Sequence, residues 1–276
     1  MKSGLVGRSI LHSRSPWLHE QEGRAQGLDL RYDLIDLTDR GLDDDALPRV
    51  VAALREGGYA GFNVTYPFKQ KVVPLLDALD ASAETVGAVN TVAIRDGRLI
   101  GYNTDMSGFR QSVIEGLPGS AMARVLQLGA GGAGAAVASA LLSIGVRQLD
   151  LADLDKERAQ ALAAMLGRHF GADRVRAITI GDATTAGVDG IVNATPVGLL
   201  SNPGLPIDPD LIDPAHWVAD IVYFPIETEL LRVARAKGCR TLDGSGMVVN
   251  QAAAAFEIIT QLPADRTRMR DSFARG

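Results

Sequence analysis

"ARVLQLGAGGAGAAVASALLSIGVRQLDLADLD", residues 123–155, is the stretch on which the fold turns. An apolar run ends at Leu128 and a glycine-rich turn follows. A long alanine-rich segment comes next, then a second apolar run that ends at Asp153. Strand, turn, helix, strand is the repeating half of a parallel sheet covered by helices. Gly129, Gly131 and Gly134 carry the G-x-G-x-x-G spacing. Gly129 suits a tight turn, Gly131 lets backbone approach a pyrophosphate, and Gly134 lets the helix pack close to the strand. The helix N-terminus adds free N–H groups and a favourable dipole for an anion. Gly129, Ala130, Gly131, Gly132 and Ala133 are therefore candidate contacts to a dinucleotide. Asp153, at the end of the next strand, is placed to accept hydrogen bonds from an adenosine ribose and to repel a 2′-phosphate, which favours NAD over NADP. Arg158 lies near enough in sequence to meet the adenosine end, where a guanidinium suits phosphate. The plain alternative is a structural glycine turn beside an acidic strand end.

The rest of the composition narrows the class. At about 150 residues per domain, 276 residues suggest two domains. A hydrophobic fraction of 46% supports a sizeable core. Net charge is −5 with no basic stripe, which argues against a nucleic-acid partner. No apolar run reaches the roughly 18 residues of a bilayer-spanning helix. The N-terminus lacks a signal-peptide pattern, so the expected location is cytoplasmic. Cys239 is the single cysteine, and the four histidines have no ligand spacing, so no metal site is expected.

Ahead of the glycine turn, "SGLVG", "RYDLIDL" and "AGFNVT" read as strands, and "LPRVVAALREGG" as an amphipathic helix. Pro16 fits the first turn of a helix with Ser15 as N-cap. "KQKVVPLLDAL" reads as mostly helical. "GAVNTVAIRDGRLIGYNTD" reads as a hairpin about Asp96-Gly97. After the turn, "VDGIVNATPVG" and "HWVADIVYFP" are further buried strands, and "MVVNQAAAAFEIITQL" is a largely buried helix. The prediction is an α/β protein. A Rossmann-type doubly wound parallel sheet domain spans 107–242, and residues 1–106 with 243–276 form an α/β substrate-binding and catalytic domain.

"GFNVTYPFKQ", residues 61–70, carries the first chemical signal in that front part. Strand alternation sends Asn63 and Thr65 the same way, Pro67 ends the pairing, and Lys69 follows. "GYNTD" places Asp105 just after a strand end. A lysine beside an aspartate can move a proton to and from a hydroxyl while hydride leaves carbon. The plain alternative is a solvated lysine and a helix-capping aspartate.

Taken in order, these motifs resemble the shikimate dehydrogenase family, including its quinate/shikimate branch. The matching stretches are "SRSP" at 13–16, "NVTYPFK" at 63–69, "GAVNT" at 87–91, "GYNTD" at 101–105, "GAGGAG", "NATPVG" at 193–198, "DIVYFPIETELL" at 220–231 and "DGSGMVVNQAAAAFE". The resemblance implies an oxidoreductase that interconverts shikimate and 3-dehydroshikimate, and quinate and 3-dehydroquinate, with NAD(H). It implies that Lys69 and Asp105 are the catalytic pair. Ser13 and Ser15 would hold the substrate carboxylate, with Tyr223 near it. Thr65, Asn90 and Gln251 would hold ring hydroxyls, with Asn63 beside them. Thr195, Pro196 and Val197 would flank the cofactor, and Gly244 would meet its nicotinamide end. The last helix would pack back on the first domain, in a monomer or homodimer.

Two departures from the commonest family pattern stand out. Asp153-Leu154-Asp155 replaces an Asn-Arg-Thr stretch of NADP-using members, so the arginine for the 2′-phosphate is missing. His12 and Arg14 replace residues of the usual substrate loop. NAD use suits oxidation in quinate catabolism, and NADP use would suit aromatic amino acid biosynthesis. A catalytically idle NAD-binding regulator is the competing class.

Overall fold

Short buried strands alternate with helices through residues 1–275, the part described in this computed structural model. The chain opens with β1 (Lys2–Gly7), α1 (Ser15–Ala25), β2 (Arg31–Asp36), α2 (Leu47–Glu56) and β3 (Gly61–Val64). It continues through β4 (Ala78–Leu79), α3 (Ala81–Val86), β5 (Thr91–Arg95), β6 (Arg98–Tyr102) and α4 (Thr104–Gly116). Then come β7 (Arg124–Leu128), α5 (Gly132–Ser143), β8 (Gln148–Asp153), α6 (Lys156–Phe170) and β9 (Val175–Thr179). The last part holds β10 (Gly190–Asn193), β11 (Trp217–Asp220), α7 (Glu229–Ala236), β12 (Arg240–Leu242), α8 (Ser245–Thr260) and α9 (Arg266–Arg275). Two compact units result: Met1–Ser107 with the segment from Val249 onward, and Gly108–Val248. Residues 243–248, expected with the first unit, thus group with the second. Gly244 explains this locally. A Cβ there would lie 2.5 Å from the Ile221 carbonyl oxygen and 2.7 Å from that of Val222, so the segment is packed tightly on the strand end of the second unit.

The first unit contains a six-stranded sheet of order β2-β1-β3-β5-β6-β4. β1 pairs in parallel with β2 and β3, and β5 runs antiparallel to β3 and β6. The β5–β6 connection is the expected Asp96-Gly97 turn, both residues lying in the left-handed region at φ 49° and 77°. Phe62, Phe68 and Val92 anchor the core with no exposed surface. The helix expected over "KQKVVPLLDAL" does not form. One 3₁₀ turn, Val73–Leu75, is all that remains of it, and the chain then joins the sheet as β4. Pro74 supplies no N–H for a longer helix. The Asp77 and Asp80 N–H groups instead bond the Leu99 and Gly101 carbonyls of β6. Ser15 is also shifted by one position: Arg14 occupies the N-cap, and Ser15 begins α1.

The second unit holds a wholly parallel sheet of order β12-β11-β10-β7-β8-β9. Its central strands are buried on both faces, β10 and β11 throughout, as a helix-covered parallel sheet requires. The order reverses direction between β7 and β10. Loops leaving the carboxyl ends of these two strands bound the crevice where open α/β sheets take ligands.

Candidate active site

In the first unit, β3 stops at Val64, and Phe68 is driven into the core four residues later. Between them, the Phe68 N–H closes a turn on the Thr65 carbonyl. Lys69 therefore emerges from a fixed point. Its Nζ donates to Asp105 Oδ2 at 2.6 Å, with both side chains largely shielded. Asp105 is not the cap of α4. That role falls to Asn103, whose Oδ1 accepts from the Met106 N–H at 3.1 Å and whose Nδ2 donates to the Ala88 carbonyl at 2.9 Å. The aspartate is thus left to meet the lysine.

A row of hydroxyls and amides adjoins this pair. Asn90 Nδ2 donates to Thr104 Oγ1 at 2.9 Å, and Asn90 Oδ1 accepts from the Thr104 N–H at 2.7 Å. Thr104 Oγ1 reaches Gln251 Oε1 at 3.5 Å. Asn63 donates to Thr91 Oγ1 at 2.9 Å and to the Asn90 carbonyl at 3.1 Å, and it accepts from the Tyr32 hydroxyl at 2.8 Å. Both Asn63 N–H groups are used inside the protein, so this residue braces its neighbours. Ser13 Oγ accepts from the Ser15 N–H at 3.2 Å and donates to Ser15 Oγ at 3.1 Å. The Ser15 side chain lies near enough to the Tyr32 phenol to oppose, weakly, the effect of burial on it. Thr65 is partly exposed, and its methyl packs over Gly7, where a Cβ would lie only 2.5 Å away. The loop before Ser13 hangs on Asp36, which accepts from the Ser9 and Ile10 N–H groups at 3.0 and 2.6 Å. Burial pushes the Asp36 carboxyl upward, but these and two further backbone donors outweigh it and hold it below its ordinary range.

Burial also pushes the Tyr32 phenol far up, and it lowers His19, stacked on Tyr32 at 4.6 Å, to about 4. His19 is neutral in the folded chain. It stabilises the fold fully above about 6.5, and this contribution declines as pH falls toward 4.

In the second unit, Gly129 sits at φ +99°, and a Cβ there would lie 2.7 Å from the Ala194 carbonyl oxygen at the end of β10. A Cβ on Gly134 would lie 2.4 Å from the Gly129 oxygen, so the helix start lies directly on the turn. Gly131 and Gly132, by contrast, face open space. No side chain caps α5, whose first N–H groups remain available to an anion. Two buried side chains fix this cradle from below. Gln127 Nε2 donates to the Gly129 and Gly134 carbonyls at 2.9 and 2.8 Å, and Asp153 Oδ2 accepts from the Ala130 N–H at 2.7 Å. Open backbone, free N–H donors and a carboxylate at the next strand end fit the diphosphate and ribose of a dinucleotide. Arg158 is already paired, 3.7 Å from Asp153 and 3.3 Å from Asp155, and Leu154 is 91% exposed.

The loop after β10 is held by Asn193. Its Oδ1 accepts from the Thr195 N–H and hydroxyl at 3.0 and 2.7 Å, and its Nδ2 donates to the Val197 carbonyl at 2.9 Å. Pro196, between them, is exposed. Asp220, 1% exposed, accepts from Asn193 at 2.9 Å, the Val222 N–H at 3.0 Å and the Thr228 hydroxyl at 2.7 Å. Burial raises its carboxyl to about 6, even though these three bonds pull it down. Tyr223 stands on the loop that Asp220 anchors and is 43% exposed.

With these geometries in place, similarity to known proteins becomes decisive. Residues 5–92 match the family profile described as "Shikimate dehydrogenase substrate binding domain", and residues 244–272 match "Shikimate 5'-dehydrogenase C-terminal domain". A shikimate dehydrogenase (NADP(+)) of Pseudarthrobacter chlorophenolicus is 52% identical over 98% of this chain and 93% of its own length. The chain belongs to the shikimate dehydrogenase family. A quinate/shikimate dehydrogenase (NAD(+)) of Corynebacterium efficiens is 49% identical over 98% of this chain and 96% of its own. The solved quinate dehydrogenase of Corynebacterium glutamicum in complex with NAD superposes with a TM-score of 0.95, at 44% identity, over 100% of this chain and 99% of that one. This member of the family is an NAD(P)-dependent oxidoreductase acting on a CH–OH group. The names of these relatives divide between NAD and NADP. Among the described residues, no helix is long and apolar enough to cross a membrane.

The first unit brings together Ser13, Ser15, Asn63, Asn90, Gln251, Lys69 and Asp105, whereas Tyr223 and Gly244 belong to the second unit. Tyr32, Asp36, Thr91 and Thr104 join the first group without having been singled out from the sequence, and Gln127, Asn193 and Asp220 join the second. Thr91 and Thr104 lie within "GAVNT" and "GYNTD", where the Asn-Thr pairs were the available signal. Tyr32 and Gln127 sit in apolar strands and carry no local mark of a polar role.

Proposed function

We propose that the chain oxidises shikimate to 3-dehydroshikimate and quinate to 3-dehydroquinate, with NAD as the preferred cofactor. The Lys69–Asp105 ion pair at 2.6 Å, adjoining the hydroxyl and amide row, carries this reading. A cyclic polyol taken out of water needs a partner for each hydroxyl, and neutral hydroxyls and amides supply them without excess charge. Thr65, Asn90 and Gln251 take the ring hydroxyls, and Ser13 and Ser15 take the carboxylate. Asn63 and Tyr32 keep both groups in register. Bound at the glycine turn, the nicotinamide cofactor supplies the hydride acceptor. Once the pair has released one proton to solvent, the Lys69 amine receives the proton of the hydroxyl under oxidation, and Asp105 holds the ammonium that results. The turn residues Gly129 to Ala133 hold the diphosphate, and Thr195 to Val197 lie alongside.

The preference for NAD rests on charge. Asp153 offers a carboxylate where a 2′-phosphate would stand, and Arg158 is already committed to Asp153 and Asp155. We expect kcat/KM to favour NAD over NADP by at least about tenfold, equivalent to about 1.4 kcal/mol. Leu154→Arg should narrow that gap by adding a free guanidinium at an exposed site. Asp153→Asn should narrow it too, while loosening the turn, since an amide nitrogen would replace one of the oxygens that accept from the Ala130 and Asp155 N–H groups. A wild type that turns over NADP faster than NAD at subsaturating concentrations would place the chain with its NADP-named relatives.

A further inference from the structure

Arg14, in the middle of the Ser13–Ser15 loop, departs from the usual family pattern, and the role proposed above for that loop does not use it. Its guanidinium meets α9. Arg14 Nη1 donates to the Phe273 carbonyl at 3.1 Å, and the guanidinium carbon lies 5.4 Å from the Phe273 ring centre. One turn along α1, Trp17 Nε1 donates to the Ser272 carbonyl at 3.0 Å. Ser272 and Phe273 fall in the last turn of α9, where carbonyls have no partner within the helix. A cation there also faces the negative end of the helix dipole.

These bonds finish a series that runs the length of α1. Gln26 donates to the Pro263 carbonyl at 2.8 Å. The buried Glu22 carboxylate accepts from Arg268 Nε and Nη2 at 2.7 and 2.8 Å and from the Asp265 N–H at 2.9 Å. Residues 26, 22, 17 and 14 thus meet 263, 265 with 268, 272 and 273 in antiparallel order. Met269 and Phe273 are buried in the same packing.

We infer that α9 is a strap that fixes the Ser13 and Ser15 hydroxyls in their binding geometry, with Arg14 and Trp17 as the positioning residues at its end. The inference rests on the proposed role of the two serines as carboxylate ligands. Neither Arg14 nor Trp17 touches the substrate. They remove loop freedom that binding would otherwise have to remove, so their effect falls on affinity.

Arg14→Ala, Arg14→Lys and Trp17→Phe would be compared with wild type in steady-state kinetics with shikimate and with quinate, and in direct titration of NADH binding. Arg14→Ala should raise KM for both acids by the same factor, about five- to tenfold, the scale of one hydrogen bond. kcat and NADH affinity should stay within about twofold. Trp17→Phe, which stays aromatic but removes the Nε1–H donor and leaves Arg14 in place, should raise KM in the same sense, and Arg14→Lys should restore most of the loss. An unchanged KM in Arg14→Ala overturns the strap. So does a neutral Trp17→Phe beside an impaired Arg14→Ala, because the guanidinium would then act on the substrate itself. A fall in kcat at unchanged KM overturns it as well. A wild type that oxidises neither acid overturns the functional reading, and the strap with it.

Discussion

Lys69→Ala should lower kcat by about 10²- to 10⁴-fold, the usual contribution of a general acid–base group, while NAD binds as before. Among the described residues the Lys69 ammonium is the one cation paired with Asp105, and that pair sits in the first unit, whereas the glycine turn belongs to the second. Loss of the amine removes the proton acceptor and leaves a shielded carboxylate without its partner. Asp105→Asn should fall in the same direction, because the ammonium then lacks the charge that holds it. Groups that act as one unit are not additive, so the double variant should be little worse than the poorer single one. Stopped-turnover assays together with NADH titration measure both halves. Weakened NAD binding at normal kcat would show that Lys69 serves the cofactor and not the chemistry.

Asp220→Asn should stabilise the protein at pH 8 and leave its stability unchanged at pH 4. Asp220 is buried, and its three partners are all donors to it, yet among the described residues no cation pairs with it. Burial raises its carboxyl from the ordinary 3.8 to about 6. Between these values the folded chain holds a proton that the unfolded chain has released. Stability therefore falls as pH rises through this window, and the whole deficit is present above about 6. The size is at most about 3 kcal/mol. An asparagine keeps an oxygen for Asn193 and the Val222 N–H, and the Thr228 hydroxyl can turn to accept from the new amide. The gain should appear in denaturant titrations above pH 4 and reach its full value above pH 6. A variant that is less stable than wild type at pH 8 would mean that the ionised carboxylate supports the loops after β10 and β11 more than burial penalises it.

The second unit was the more legible of the two. Its strands are continuous apolar runs and its turn is written in glycines, because a buried parallel sheet and a close backbone approach leave few residue choices. In the first unit, Lys69 and Asp105 lie 36 positions apart in the chain, and only the register of β3, β5 and β6 brings them within a hydrogen bond. Sequence motifs flagged each residue, but not the distance. Asn63 shows the limit most clearly. Strand alternation grouped it with Thr65 and Lys69, and its amide is taken up by Tyr32, Asn90 and Thr91, partners that no local pattern announces. The failed helix at "KQKVVPLLDAL" has a similar cause: sheet-edge hydrogen bonds to Leu99 and Gly101 outcompeted local propensity. The strap was invisible because Arg14 and Phe273 are 259 residues apart.

The most direct test of the account is the appearance of reduced nicotinamide when purified protein is given NAD with shikimate and, separately, with quinate. Steady NADH formation is expected with at least one of the two acids, reduced to about 1% of the wild-type rate or less in Lys69→Ala. Tight NAD binding with no NADH formed from either acid would contradict it, and would make the chain a nucleotide-binding regulator built on a dehydrogenase fold.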